Sequence, residues 1–204
     1  MLLDIKILLP YLCRAKNNCT MKQIIVSIMV ALSTSSIVTA QNQPTFRFNA
    51  GPELGFATGS FSNTHSIGIG GSVQGEVSLQ EHLYGTATFG VTAYKGKSSG
   101  SNTNYKVATI IPLRVGAKYF LTGGFYGSFQ LGVGFLNNTT PGLNIINPNT
   151  DASGTAFAYS PQIGYEFKTK NYKSIDATFK YDGYSGGNKI GTVGTIGFRL
   201  AYIF

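Results

Sequence analysis

The chain ends in IGFRLAYIF, residues 196–204. Phe198, Leu200, Tyr202 and Phe204 occupy every second position, and Arg199 stands among them on the alternate positions. A period of two sends successive side chains to opposite faces of an extended strand. The stretch therefore reads as a strand with one wholly apolar face and a guanidinium on the other.

The same pattern recurs along the chain. Eight segments alternate with period two, at 45–58, 66–79, 83–94, 105–120, 125–135, 155–167, 174–184 and 189–204. Turns or loops join successive segments, and no convincing helix intervenes. In the first, Phe46, Phe48, Ala50, Leu54 and Phe56 oppose Arg47, Asn49 and Glu53. In the second, Ile67, Ile69, Val73 and Val77 oppose Ser66, Ser72, Gln74 and Glu76. In the fourth, Val107, Ile111, Leu113, Val115 and Tyr119 oppose Lys106, Arg114 and Lys118. The sixth sets Phe157, Tyr159, Ile163, Tyr165 and Phe167 against Ser160, Gln162 and Glu166, and the seventh sets Ile175, Ala177, Phe179 and Tyr181 against Asp176, Lys180 and Asp182.

Alternation does not by itself say which face points outward, since a soluble barrel would bury the apolar one. Three features favour the reverse. Segments of ten or more residues match the ~10-residue tilted strand that crosses a bilayer, whereas globular strands run to about 5–6. The apolar face is too bulky for the interior of eight strands, which side chains alone just fill. The opposite face is rich in Gly, Ser and Thr with charges of both signs, as a narrow lumen requires. The expectation is an all-β fold: an eight-stranded, antiparallel, up-and-down outer-membrane β-barrel. Backbone groups in hydrocarbon must all be paired, so the last strand is expected to close on the first. Phe125, Tyr105, Tyr119, Phe167 and Tyr202 fall near strand ends, as an aromatic girdle would.

Connections 80–82, 121–124 and 168–173 are tight or modest, and 95–104 and 136–154 are long and polar. The first, 59–65, is intermediate, and 185–188 is short. Short turns on one side and longer loops on the other imply periplasmic termini and extracellular long loops.

Residues 1–40 differ in kind. All 14 Phe and all 26 Gly lie after Ala40, and both cysteines, Cys13 and Cys19, lie before it. Met21 and Lys22, the apolar run 24–32 and Val38-Thr39-Ala40 have the layout of a secretory signal peptide over 21–40, with Gln41 the first mature residue. Residues 1–20 read as an over-called start site, or else as an extended n-region. The barrel domain is 41–204. Removing the leader takes away both cysteines and, with Lys6, Arg14, Lys16 and Lys22 against Asp4, leaves twelve basic and seven acidic residues, a net +5. So mild and scattered a charge does not argue for nucleic acid.

On the opening NAGPELGFATGSFSNTHSIGIGGSVQGE, the segments IPLRVGAKYF and FYGSFQLGVGF, and the terminal aromatic, residues 44–204 resemble the small outer-membrane β-barrel domain family of Gram-negative bacteria, the "porin family" or OmpX-like eight-stranded barrels. The resemblance implies that Tyr202 and Phe204 present the C-terminal signal read by the barrel-assembly machinery. Some versions of that signal carry Gly where this chain has Arg199.

No catalytic, cofactor-binding or metal-binding residues are assigned. Six cations (Arg47, Lys106, Arg114, Lys118, Lys180 and Arg199) and five anions (Glu53, Glu76, Glu166, Asp176 and Asp182) are expected to face one lumen. A network of salt bridges filling that lumen is expected over an ion or solute path, because charges withdrawn from water need partners. Arg199 is expected to meet Glu53 or Asp176. His65-Ser66 lacks an identifiable third member for a hydrolytic constellation. His82 reads as a turn residue beside Glu81, and two separated histidines without cysteine give no metal spacing. The glycines of GIGG, 68–71, precede no helix and so fail as a phosphate loop. Asn138-Thr139-Thr140 fits a glycosylation sequon, which is uninformative in a bacterial setting. The expected role is a structural or surface-interaction barrel, not an enzyme. The alternatives are a narrow pore and, behind it, a lipid-modifying enzyme. Expected partners are outer-membrane lipid, the assembly machinery through Tyr202 and Phe204, and an extracellular partner through loops 95–104 and 136–154.

Overall fold

The computed structural model describes residues 45–99, 103–138, 153–168, 174–186 and 191–204. The leader, the centre of loop 136–154 and Lys189 lie outside them.

Long period-two segments joined by short turns have one simple solution: each strand pairs with its successor. The barrel strands are β1 (Phe46–Thr58), β2 (His65–Gln80), β3 (Leu83–Gly96), β6 (Ala108–Thr122), β7 (Phe125–Asn137), β8 (Gly154–Lys168), β9 (Ser174–Ser185) and β10 (Thr192–Ile203). A two-residue ladder, β4 (Ser98–Ser99) with β5 (Thr103–Asn104), projects from the β3–β6 connection. The eight barrel strands form one closed antiparallel ring in up-and-down order, and β10 pairs back onto β1 with Glu53 opposite Arg199 and Leu54 opposite Phe198. Closure leaves no edge strand unpaired, which is the condition for a sheet in lipid.

The direction of the two faces follows from exposure. Phe46, Ile69, Val115, Phe157 and Leu200 stand more than half exposed on the outside, whereas Arg114, Lys118, Glu76, Asp176 and Gln130 are buried at 0–2%. The molecule is apolar outside and charged inside. Of the expected girdle aromatics, Tyr119, Phe125 and Phe167 face outward on the terminal-end side of the wall. Tyr202 is half-buried against Phe204, with ring centroids 4.9 Å apart. Tyr105 departs from expectation: β6 begins only at Ala108, and Tyr105 sits beyond it, 6.4 Å from the His65 ring.

A strongly coiled eight-stranded wall brings neighbouring backbones too close for a Cβ at some inward positions. At Gly132 an added Cβ would lie 2.0 Å from the Leu113 carbonyl oxygen, which is fixed by the β6–β7 ladder. At Gly183, on the outward column of β9, the space is taken by the ring of Tyr159, so that an aromatic covers the glycine. Gly132→Ala is expected to destabilise the barrel by about 1–3 kcal/mol, the usual cost of overpacking, read as a lower urea midpoint in lipid vesicles.

Candidate functional site: the charged lumen

The chemistry of this protein is concentrated in its lumen, where inward positions of all eight strands meet. Alternation delivers the residues, and barrel closure decides which of them touch.

Near the end that carries the termini, Lys118 of β6 is the hub. Its ammonium lies 3.1 Å from Glu76 on β2, 2.6 Å from Glu166 on β8 and 2.8 Å from Asp176 on β9. Arg47 of β1 pairs with Glu76 and, at 3.0 Å, with Glu166. The Tyr126 hydroxyl donates to Asp176 at 2.6 Å, and the Lys118 ammonium stands 3.9 Å from the centre of that tyrosine ring. The Tyr84 ring covers the Arg47 guanidinium at 4.5 Å. These are cation–π contacts that strengthen where water is excluded.

A second cluster lies deeper. Arg114 of β6 pairs with Asp182 of β9, which also accepts from Ser160 at 2.6 Å. Lys180 bridges Glu53 at 2.7 Å and Asp182 at 3.2 Å. Arg199 reaches Glu53 at 3.5 Å, donates to Ser72 at 2.7 Å and donates to Asn49 at 2.5 Å. Of the two partners expected for Arg199, the structure selects Glu53. Asn49 also donates to Glu76 at 3.0 Å and so links the two clusters. Gln130 joins Gln74, Thr86 and Thr88 between them.

Ten of the eleven expected lumen charges are thus brought together, five of each sign. Lys106 is the exception. The chain leaves the barrel before Ala108: Tyr105 N–H donates to the Lys97 carbonyl at 3.1 Å, and the His65 ring takes the Lys106 carbonyl at 3.1 Å. These contacts hold Lys106 exposed at the rim.

Above the charges lies something alternation did not announce. Phe61, Tyr94, Ala108, Ile110, Leu136, Ala156, Ala158, Tyr184 and Val193 form a buried apolar cluster inside the loop end of the barrel. Phe61 comes from a 3-10 turn, Gly59–Asn63, that folds over the mouth and stacks on His65 at 4.5 Å. Ile110, Tyr94 and Val193 occupy the same inward column as the charges on their strands, and only their depth sets them apart.

His65 is wholly buried. Its Nε2 faces a carbonyl, which only accepts, so Nε2 carries the proton and Nδ1 accepts from the Thr64 hydroxyl at 2.8 Å. Ser66 instead donates to the Lys95 carbonyl at 3.3 Å, so its hydroxyl is not set against the imidazole. The carboxylates of Glu76, Glu166 and Asp176 converge within 4.8 Å, the spacing of a metal-binding triad. The Lys118 ammonium contacts all three and supplies the positive charge that a cation would bring. Hard divalent ions take six or more oxygen ligands or retain several waters, and a bound ion would have to displace that ammonium.

No family model matches this sequence, and no curated protein matches it. Solved structures do. The crystal structure of Neisserial surface protein A aligns with a TM-score of 0.57 at 15% identity, covering 79% of this chain and 98% of that one. Ail, the attachment invasion locus protein of Yersinia pestis, solved in complex with the heparin analogue sucrose octasulfate, aligns at 0.52 with 14% identity, over 80% of this chain and 100% of that one. A closed eight-stranded ring with an apolar exterior and a charged interior is a transmembrane barrel. Its fold is that of the small bacterial outer-membrane β-barrels.

Replacing Lys118 with Met leaves three buried carboxylates facing one another. The expected loss is about 3–5 kcal/mol, as for other buried pairs deprived of one partner. Urea unfolding in vesicles measures it, and Lys118→Arg should lose clearly less.

Proposed function

We propose that this chain is a non-catalytic outer-membrane barrel whose lumen is plugged and whose working surface is its extracellular loops. One observation carries the reading: the inward charges pair with one another, five cations with five anions, beneath an apolar cap. An ion path needs lumen charges that face water. Here each of the ten has a protein partner within 3.5 Å, and Arg114, Lys118, Glu76 and Asp176 are at most 2% exposed. The surface-interaction reading gains support from Ail, an attachment protein solved with a heparin analogue. Loops 95–104 and 136–154 are the segments through which this chain would meet such a partner. Tyr202 and Phe204 fit the assembly signal. Phe204 is 76% exposed one residue past β10, and its N–H donates to the Phe48 carbonyl at 2.8 Å, tying that signal to the closing seam.

In planar bilayers the folded protein is expected to give no stable conductance. Persistent single-channel steps would establish the pore reading instead. Lipid A recovered from cells that express the chain should be unchanged in mass, and a mass shift abolished by His65→Ala would establish the enzyme.

A further inference from the structure

The turn that closes the loop end of the barrel rests on a titratable side chain. Phe61, 1% exposed, lies face to face on the His65 imidazole, with ring centroids 4.5 Å apart and planes at 23°, and meets Tyr94 edge-on at 5.4 Å. His65 stands beyond the membrane-crossing stretch. It pairs with Gly96, between Lys95 and Lys97, and the lipid-facing column of β2 begins only at Ile67. Both ring nitrogens are engaged. Nε2–H donates to the Lys106 carbonyl at 3.1 Å, and Nδ1 accepts from the Thr64 hydroxyl at 2.8 Å.

That hydroxyl also lies 3.2 Å from the Phe61 carbonyl. The ring therefore has a place for a second proton. Nδ1–H would donate to the Thr64 oxygen, and the Thr64 hydrogen would turn to the Phe61 carbonyl. What the surroundings do not offer is a counter-charge. The elements packed around the ring bring Phe61, Tyr94 and Tyr105 and the lysines at 95, 97 and 106. Among the described residues, the carboxylates lie elsewhere: five in the lumen, and Glu81 in the β2–β3 turn at the opposite end. A buried charge without a counter-charge is costly, and cation–π attraction to Phe61 offsets only part of that cost. Burial accordingly holds the His65 pKa below its ordinary value, against the Lys106 carbonyl hydrogen bond, which raises it. Once the turn lifts, water reaches the ring and the cost disappears. Closure is thus strongest above the ordinary imidazole pKa of about 6.5 and weakens as the pH falls below it.

We infer that His65 is an acid-sensitive latch, whose protonation releases the Gly59–Asn63 turn and uncovers the apolar mouth of the barrel. The inference rests on the plugged-lumen reading above, in which this turn is the cap.

Hydrogen exchange of the full-length folded barrel in phosphatidylcholine nanodiscs provides the test, with rates divided by the intrinsic rate at each pH. The Thr64 and Lys97 amides, which donate to the Phe61 and Thr64 carbonyls, report the cap. The β9–β10 ladder around Phe179 and Phe198 reports global opening. Between about pH 7.5 and about pH 4.5 the cap amides should lose at least about threefold in protection, on a scale of roughly tenfold per unit of pKa difference between closed and open turn. The ladder amides should keep theirs. In a His82→Gln background the chain holds one imidazole, and its titration, followed by carbon-13 NMR, should share its midpoint with the loss of protection. His65→Gln should make cap protection independent of pH, whatever its absolute level. Protection that falls equally in His65→Gln, or an imidazole that titrates while the cap stays protected, overturns the latch. A cap closed at every pH overturns the latch alone, whereas a cap already open at pH 7.5 overturns the plugged-lumen reading with it.

Discussion

Everything in this structure depends on one constraint: in hydrocarbon no backbone N–H or C=O can be left without a partner. A helix meets it locally and a sheet meets it only by closing on itself. The chain takes the second route, and the pairing of Leu54 with Phe198 across the β1–β10 seam completes the circuit. Closure with eight strands has a further consequence. The interior is just wide enough for side chains, and every inward residue is forced against residues from strands far away in sequence. Arg47 meets Glu166, 119 positions along the chain, and Arg199 meets Asn49, 150 positions away.

A lumen so narrow and so charged persists only if it is internally balanced. The terminal-end cluster contains Arg47 and Lys118 against Glu76, Glu166 and Asp176. The deeper cluster contains Arg114, Lys180 and Arg199 against Glu53 and Asp182. Each alone is off by one unit, in opposite senses, and Asn49 bridges them through Glu76 and Arg199. Among the described residues the ten lumen charges sum to zero. The network's net worth to stability is small, because desolvation offsets the attraction, but removing any one partner unbalances the buried charges that remain. The apolar cluster under the Phe61 turn lies between this network and the loop end of the barrel.

The strands were legible in the sequence because period-two alternation is local and strong. Every end that falls among the described residues lies within three positions of expectation. Facing was legible too, since Phe and Ile alternate with Arg and Glu and the apolar face is the bulkier. Depth along the barrel was not. Ile110 and Arg114 share the inward column of β6, and nothing in their spacing says that one belongs to a cap and the other to an ion pair. Ion pairing was open for the same reason, as it depends on the stagger of strands around the ring. Lys106 and Tyr105 were misplaced because the contact that pulls them off β6 comes from His65, on a different hairpin. Phe61 sits in a 3-10 turn with no side-chain cap to mark its start. An aromatic in a short polar loop was the available clue.

A double-mutant cycle on Arg114 and Asp182, followed by urea unfolding in lipid vesicles, addresses the balanced lumen most directly. The two residues are paired, deeply buried and nearly isolated from the Lys118 cluster. Arg114→Met and Asp182→Leu should each destabilise the barrel by several kcal/mol, about 3–5 on the scale of other broken buried pairs. The double variant should cost no more than either single variant, giving a coupling energy at or above the upper end of the ~0.5–3 kcal/mol range for residues in contact. Small single losses that simply add in the double variant would contradict a lumen held by mutual neutralisation.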